Sequence, residues 1–146
     1  MEIIDVKNLK LPEVKVIRFK RFCDTRGYFS ETFRKNDFTK NKNIDFFGDA
    51  EFLQTNEAFS RKGVIRGLHF QFNPHMGKMV RTLAGRMIDL ALDIRKDADT
   101  FGKMIAYDMP YSERDLYGEW IWVPPGFAHG NLLMEDSRVE YFCTGE

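Results

Sequence analysis

The stretch RMIDLALDIR, residues 86–95, decides the fold class. Read at period two, Ile88, Leu90, Leu92 and Ile94 fall on one face, and Met87, Asp89, Ala91 and Asp93 fall on the other. A helical period of about 3.6 would scatter the aliphatic set around the axis. The stretch therefore reads as a half-buried strand. Alternation does not say which face turns inward. Asp89 and Asp93 meet water if the aliphatic face is inside. If their own face is inside, Asp89 projects into a polar cavity and orients a histidine or a ligand hydroxyl.

Working outward, KVIRFKRF (15–22), EWIWVPP (119–125) and SRVEYFCT (137–144) are similar short runs rich in β-branched and aromatic residues. Turn signals separate the runs: Thr25-Arg26-Gly27, Arg61-Lys62-Gly63, Asn73-Pro74, Ala84-Gly85 and Pro124-Pro125-Gly126. Only RKNDFTKNK (34–42) and YSERDLYG (111–118) read as helical turns. Many strands at close spacing predict a sandwich or barrel, so residues 1–146 read as one all-β domain.

Composition narrows the function classes. The chain has 146 residues, of which 43% are hydrophobic, and its 14 phenylalanines predict an aromatic-rich interior. With 22 basic and 22 acidic residues, no net field draws it to nucleic acid or to an anionic membrane. A small anion needs only a few arginines. Glu2 and Asp5 stand where a signal peptide would be basic, and no apolar run is long enough to span a bilayer. Cys23 and Cys143 lie far apart in no metal-like spacing, so two buried free thiols in a cytoplasmic protein are expected.

Two further stretches carry chemistry: GVIRGLHFQ (63–71) and VPPGFAHGN (123–131). Histidine titrates near pH 6.5 and exchanges protons at neutral pH. Strict alternation puts Arg66 on one face with Leu68 and His69 on the other with Gly67, and a bulge at Gly67 would bring Arg66 and His69 to one cavity. The bland alternative makes His69 a satisfied core residue. Tyr141 alternates with Val139 and Cys143 and so faces inward, as packing or as a proton donor. Lys78, after a glycine, reads ordinarily as solvated. His69 is followed by Phe70 and Gln71, and no histidines form a close pair, so no metal is expected.

The segments DTRGYFSETFR (24–34), QTNEAFSRKGVIRGLHFQ (54–71), GKMVRTLAGRMIDLALDIR (77–95), WVPPGFAHG (122–130) and VEYFCT (139–144) resemble, in order, those of the dTDP-4-dehydrorhamnose 3,5-epimerase family. The resemblance implies a cupin-type double-stranded β-helix (jelly roll), a homodimer, a nucleotide-sugar substrate and no metal or organic cofactor. It implies that His69 is the general base and Tyr141 the general acid on the opposite sugar face. Lys78 and Arg66 match residues around the keto oxygen and diphosphate, and Arg26, Glu31, Gln54, Asn56 and His129 match positions that bind the nucleotide sugar. Two departures stand out. Family members continue beyond the VEYFCT strand, where some supply a carboxylate that orients the histidine, whereas this chain stops at Glu146; Asp89 is the substitute expected within the chain. Asn131 stands where the family has an aromatic residue.

The expected chemistry is proton abstraction beside a C4 ketone. Carbons 3 and 5 flank the carbonyl, so loss of either proton gives an enolate that a desolvated cation such as Lys78 stabilises. Arginines suit the diphosphate. Two alternatives accompany this reading: a nucleotide-sugar 3,4-ketoisomerase, and a non-catalytic sugar-nucleotide-binding barrel.

Overall fold

The computed structural model describes residues 1–40 and 42–145, with the side chains of residues 39, 40, 42 and 43 outside that description. Among the described residues there are twelve strands: β1 (Ile3–Asn8), β2 (Lys15–Lys20), β3 (Phe22–Asp24), β4 (Gly27–Phe29), β5 (Gln54–Ser60), β6 (Ile65–His69), β7 (Lys78–Ala84), β8 (Arg86–Asp93), β9 (Met104–Pro110), β10 (Tyr117–Val123), β11 (Phe127–Leu133) and β12 (Ser137–Cys143). A helix, α1 (Lys35–Lys40), falls where the first helical stretch was expected, and a 3-10 turn (Lys42–Phe47) extends beyond it.

The second expected helical stretch, 111–118, is not helical among the described residues, and Tyr117 already belongs to β10. Its carbonyls are bonded elsewhere. The Arg21 guanidinium donates to the carbonyls of Ser112 and Asp115, and the Arg21 amide donates to Leu116 O at 3.0 Å. Carbonyls held by a residue distant in the sequence, here the one linking β2 to β3, are not free to close helical turns.

Two antiparallel sheets face each other. One has the order β1-β2-β10-β7-β12-β5, the other β6-β11-β8-β9, and β3-β4 forms a separate hairpin. Val16, Val80, Ile121 and Val139 of the larger sheet pack against Met87, Ala91, Met109, Phe127 and Leu133 of the smaller. The result is a cupin-type jelly roll, the expected all-β class.

β8 settles which of its faces is inside. Met87, Asp89, Ala91 and Asp93 are buried, whereas Ile88, Leu90 and Leu92 are only half-buried on the outer face. The inward carboxylates are tolerated because each has a partner. Asp93 binds Arg95 Nη2 at 2.6 Å, Arg95 Nε at 3.0 Å and the Arg95 amide at 2.9 Å, and this holds its carboxyl well below the usual range. Asp89 binds His129.

The phenylalanines explain a second layer. The outer face of the larger sheet presents Ile17, Phe19, Met79, Trp120 and Trp122, and Phe38, Ile44 and Phe47 from α1 and the 3-10 turn cover it. Trp120 Nε1 donates to Thr32 O at 2.7 Å, so the indole is buried without an orphaned donor. Each large aromatic buries about 200 Å², worth on the order of 5 kcal/mol before conformational entropy is counted. Cys143 is buried as expected, but Cys23 is exposed on the β3-β4 hairpin; both are free thiols. Among the described residues no helix is long and apolar enough to cross a membrane.

Candidate active site

The path of β6 makes the site. His129 of β11 pairs with His69, and Asn131 pairs with Arg66. Three steps along β6 therefore oppose two along β11, which is a bulge of one residue. Gly67 lies inside it at φ 116°, and a Cβ there would meet Gly130 Cα at 2.6 Å and His129 O at 2.8 Å. Only glycine fits both the conformation and the space. The extra residue cancels strict alternation, so Arg66 and His69 line the same cleft.

That cleft, about 330 Å³, opens between the two sheets. Arg66, His69 and His129 come to it from the smaller sheet, and Gln54, Asn56, Lys78 and Tyr141 from the larger. Seven sequence-predicted residues thus share one cavity. Arg66 Nε donates to Ser60 Oγ at 2.6 Å and its Nη2 donates to Phe59 O at 3.3 Å. Among the described residues no carboxylate pairs with it, which leaves its charge to an incoming anion. Gln54 Nε2 donates to Asn56 Oδ1 at 2.9 Å, so the two amides form one polar shelf on β5.

Lys78 is half-buried and has no carboxylate partner among the described residues; burial pushes its pKa below the ordinary 10.5, with Cys143 opposing. Burial pushes the Tyr141 phenol above 10.0, and a hydrogen bond donated by Asn131 Nδ2 at 2.9 Å opposes that push. A desolvated cation and a buried phenol suit a site where negative charge develops and a proton is returned.

Three of the expected residues stand outside the cleft lining of this single chain. Asp89 does hold a histidine, but it is His129 and not His69: its Oδ2 lies 2.8 Å from His129 Nε2, and among the described residues the His69 ring makes no hydrogen bond. Alternation explains this, because Asp89 is the register partner of Asn131 and shares its inward face with His129. Arg26 stands outside the cleft, 87% exposed at the β3-β4 turn, where Asp24 binds it at 2.6 Å. Glu31 also stands outside, held by the Met1 amine at 3.0 Å and by Arg34.

The cleft also contains Asn131, already singled out as a departure from the family, and Cys143, Gln71 and Met76, which were not named as site residues. Three of these were open to finding. Asn131 is two residues from His129, Cys143 two from Tyr141 and Gln71 two from His69, so alternation gives each its neighbour's face. Met76 lies outside the strands and has no such signal. Among the described residues no group of three or more histidine, cysteine, aspartate or glutamate side chains is arranged to hold a metal ion.

Two facing sheets with a polar, cationic cleft between them define a jelly roll of the cupin type. The chain belongs to the family described as dTDP-4-dehydrorhamnose 3,5-epimerase, whose model matches residues 8–146. A relative of that name from Neisseria gonorrhoeae is 41% identical over 145 residues, covering 99% of this chain and 40% of the relative. The corresponding Sinorhizobium fredii protein is 40% identical over 94% of this chain and 68% of its own length. The chain therefore spans only part of these relatives. A dTDP-6-deoxy-D-glucose-3,5-epimerase from Legionella pneumophila, solved in complex with dTDP-4-keto-L-rhamnose, superposes with a TM-score of 0.87 at 33% identity, covering 97% of this chain and 72% of that one.

Proposed function

We propose that this barrel epimerises a dTDP-linked 4-keto-6-deoxy sugar at C3, C5 or both. One observation carries the reading: a histidine, a desolvated lysine and a buried tyrosine meet in one cleft, with Arg66 beside them. His69 removes the C–H proton beside the ketone, and the electron pair moves onto the C4 oxygen as an enolate that Lys78 stabilises. Tyr141, on the facing sheet, delivers its O–H proton to the opposite face of that carbon. The protonated histidine and the phenolate then exchange with solvent. Arg66 and the Gln54–Asn56 shelf take the diphosphate and nucleoside. The ligand bound by the Legionella relative supports this substrate class.

A specific observation favours a second assignment of the base. His129 is the histidine with a carboxylate behind it, and such a pair fixes a tautomer for proton transfer. Incubation with dTDP-4-keto-6-deoxyglucose in heavy water, read by proton NMR, separates the two. Loss of exchange in His69→Asn with exchange kept in His129→Asn supports His69, and the reverse pattern transfers the role. Binding of thymidine diphosphate with no exchange in the unaltered protein would identify a non-catalytic binder.

The homodimer belongs to the same proposal. The outer face of the smaller sheet exposes Ile65 at 66% and Met104 at 57%, beside half-buried Ile88, Leu90 and Leu92. A continuous apolar face of this kind suits a second copy, and sedimentation equilibrium tests it. Two unpaired thiols support a cytoplasmic setting.

A further inference from the structure

Asn131 sits in the middle of β11, 1% exposed, and lines the cleft. Its Nδ2 crosses from the smaller sheet to the larger and donates to Tyr141 Oη at 2.9 Å. Its carbonyl Oδ1 is buried with no partner among the described residues. A buried carboxamide with one end unpaired is costly, and an apolar side chain of similar size would remove that cost. Packing therefore does not account for an amide at this position. The phenol does. A phenolic oxygen carries one proton and accepts hydrogen bonds through its lone pairs. When Asn131 donates into that oxygen, the phenolic proton is directed away from Asn131 and toward the cleft. The same bond stabilises the phenolate that remains after the proton has left.

We infer that Asn131 is a positioning residue that aims the Tyr141 proton at the sugar and holds the phenolate formed when it is given up. This rests on the epimerase reading, in which Tyr141 supplies the proton opposite the base. The bookkeeping yields a specific signature. If the base acts but the acid is misdirected, the abstracted position is refilled from the base's own side. In heavy water the sugar then gains deuterium without inversion.

The test compares the unaltered protein with Asn131→Leu and Asn131→Asp, using dTDP-4-keto-6-deoxyglucose in heavy water and NMR to follow exchange and inversion separately. Asn131→Leu removes the donor while keeping the branching at Cγ, and Asn131→Asp replaces it with an acceptor. Both should keep exchange within about threefold and lower inversion by about tenfold or more, a fraction of the 10²–10⁴ that a positioned acid contributes. A protein labelled at tyrosine Cζ, with Tyr141→Phe identifying the resonance, should show Tyr141 titrating about one unit higher in Asn131→Leu. Its melting temperature should be unchanged or raised, since an orphaned carbonyl has gone. An unchanged exchange-to-inversion ratio in a folded variant overturns the inference, and if one variant fails to fold the other decides. An unaltered protein inert in heavy water would sink the epimerase reading itself, and the tyrosine titration would still decide whether Asn131 governs the phenol.

Discussion

His129 Nε2 and Asp89 Oδ2 lie 2.8 Å apart on neighbouring strands, both side chains almost fully buried. The carboxylate holds one ring nitrogen, leaving the other to face the cleft in a defined state. Replacing Asp89 with Asn keeps the size and removes the charge. We expect Asp89→Asn to weaken thymidine diphosphate binding by about tenfold in calorimetry, the size of a charge-assisted hydrogen bond lost behind the ring that meets the ligand. Asp89→Leu should in addition destabilise the fold by about 1–3 kcal/mol, because a buried imidazole loses its partner.

Lys78 sets opposite demands on stability and activity. Burial disfavours its charged form, so the folded protein binds that proton less tightly than the unfolded chain does. The unfolded chain therefore holds more protons between the lowered value and 10.5, and stability rises with pH across that window. Lys78→Met should raise the melting temperature at neutral pH by about 2–4 °C while lowering turnover at least a hundredfold. In the unaltered protein turnover should fall at a pH below 10.5, as Lys78 loses its charge. An alkaline limb above 10.5 would remove the lysine's charge from the mechanism.

The Gly67 bulge makes a steric prediction. A methyl group at residue 67 would stand 2.6 Å from Gly130 Cα in a backbone conformation that L residues avoid. Gly67→Ala should cost at least about 2 kcal/mol in urea unfolding. It should also abolish exchange, since straightening β6 returns Arg66 and His69 to opposite faces. Gly63→Ala also takes a residue with positive φ but meets nothing within 4 Å, so it should be milder and leave exchange intact.

How far the chain was readable follows from the same residues. RMIDLALDIR identified β8 to within two residues of its end, because alternation is a local property. Its inward face was not readable, because that depends on Arg95 for Asp93 and on His129 for Asp89. The convergence of Arg66 and His69 needed the register of β11, a strand remote from β6 in the sequence. β1 escaped notice because IIDVKN mixes polar and apolar residues on both faces, as an edge strand with a single neighbour can. The family segments identified the cleft residues well, yet Arg26 and Glu31, equally part of them, stand outside the cleft of a single chain.

Asp93 gives the last prediction. Its side chain is fully buried, and Arg95 spans it and Glu13, whose Oε1 lies 2.7 Å from Arg95 Nη2. Thr100 donates to the same aspartate, and Gly102 N donates to Asp93 O at 2.9 Å, so one carboxylate fastens residues 94–103 to the end of β8. The folded pKa is depressed, so the stabilisation is complete above the ordinary aspartate value of 3.8 and is lost as pH falls below it. Asp93→Asn should cost about 3 kcal/mol at neutral pH, because it leaves a guanidinium without its main partner. The cost should shrink as the pH is lowered from 4 toward 2, because there the unfolded chain takes up the proton while the folded protein still holds Asp93 charged. Urea midpoints for the two proteins that stay equally far apart across that range would show that the carboxylate's charge is not what holds the loop.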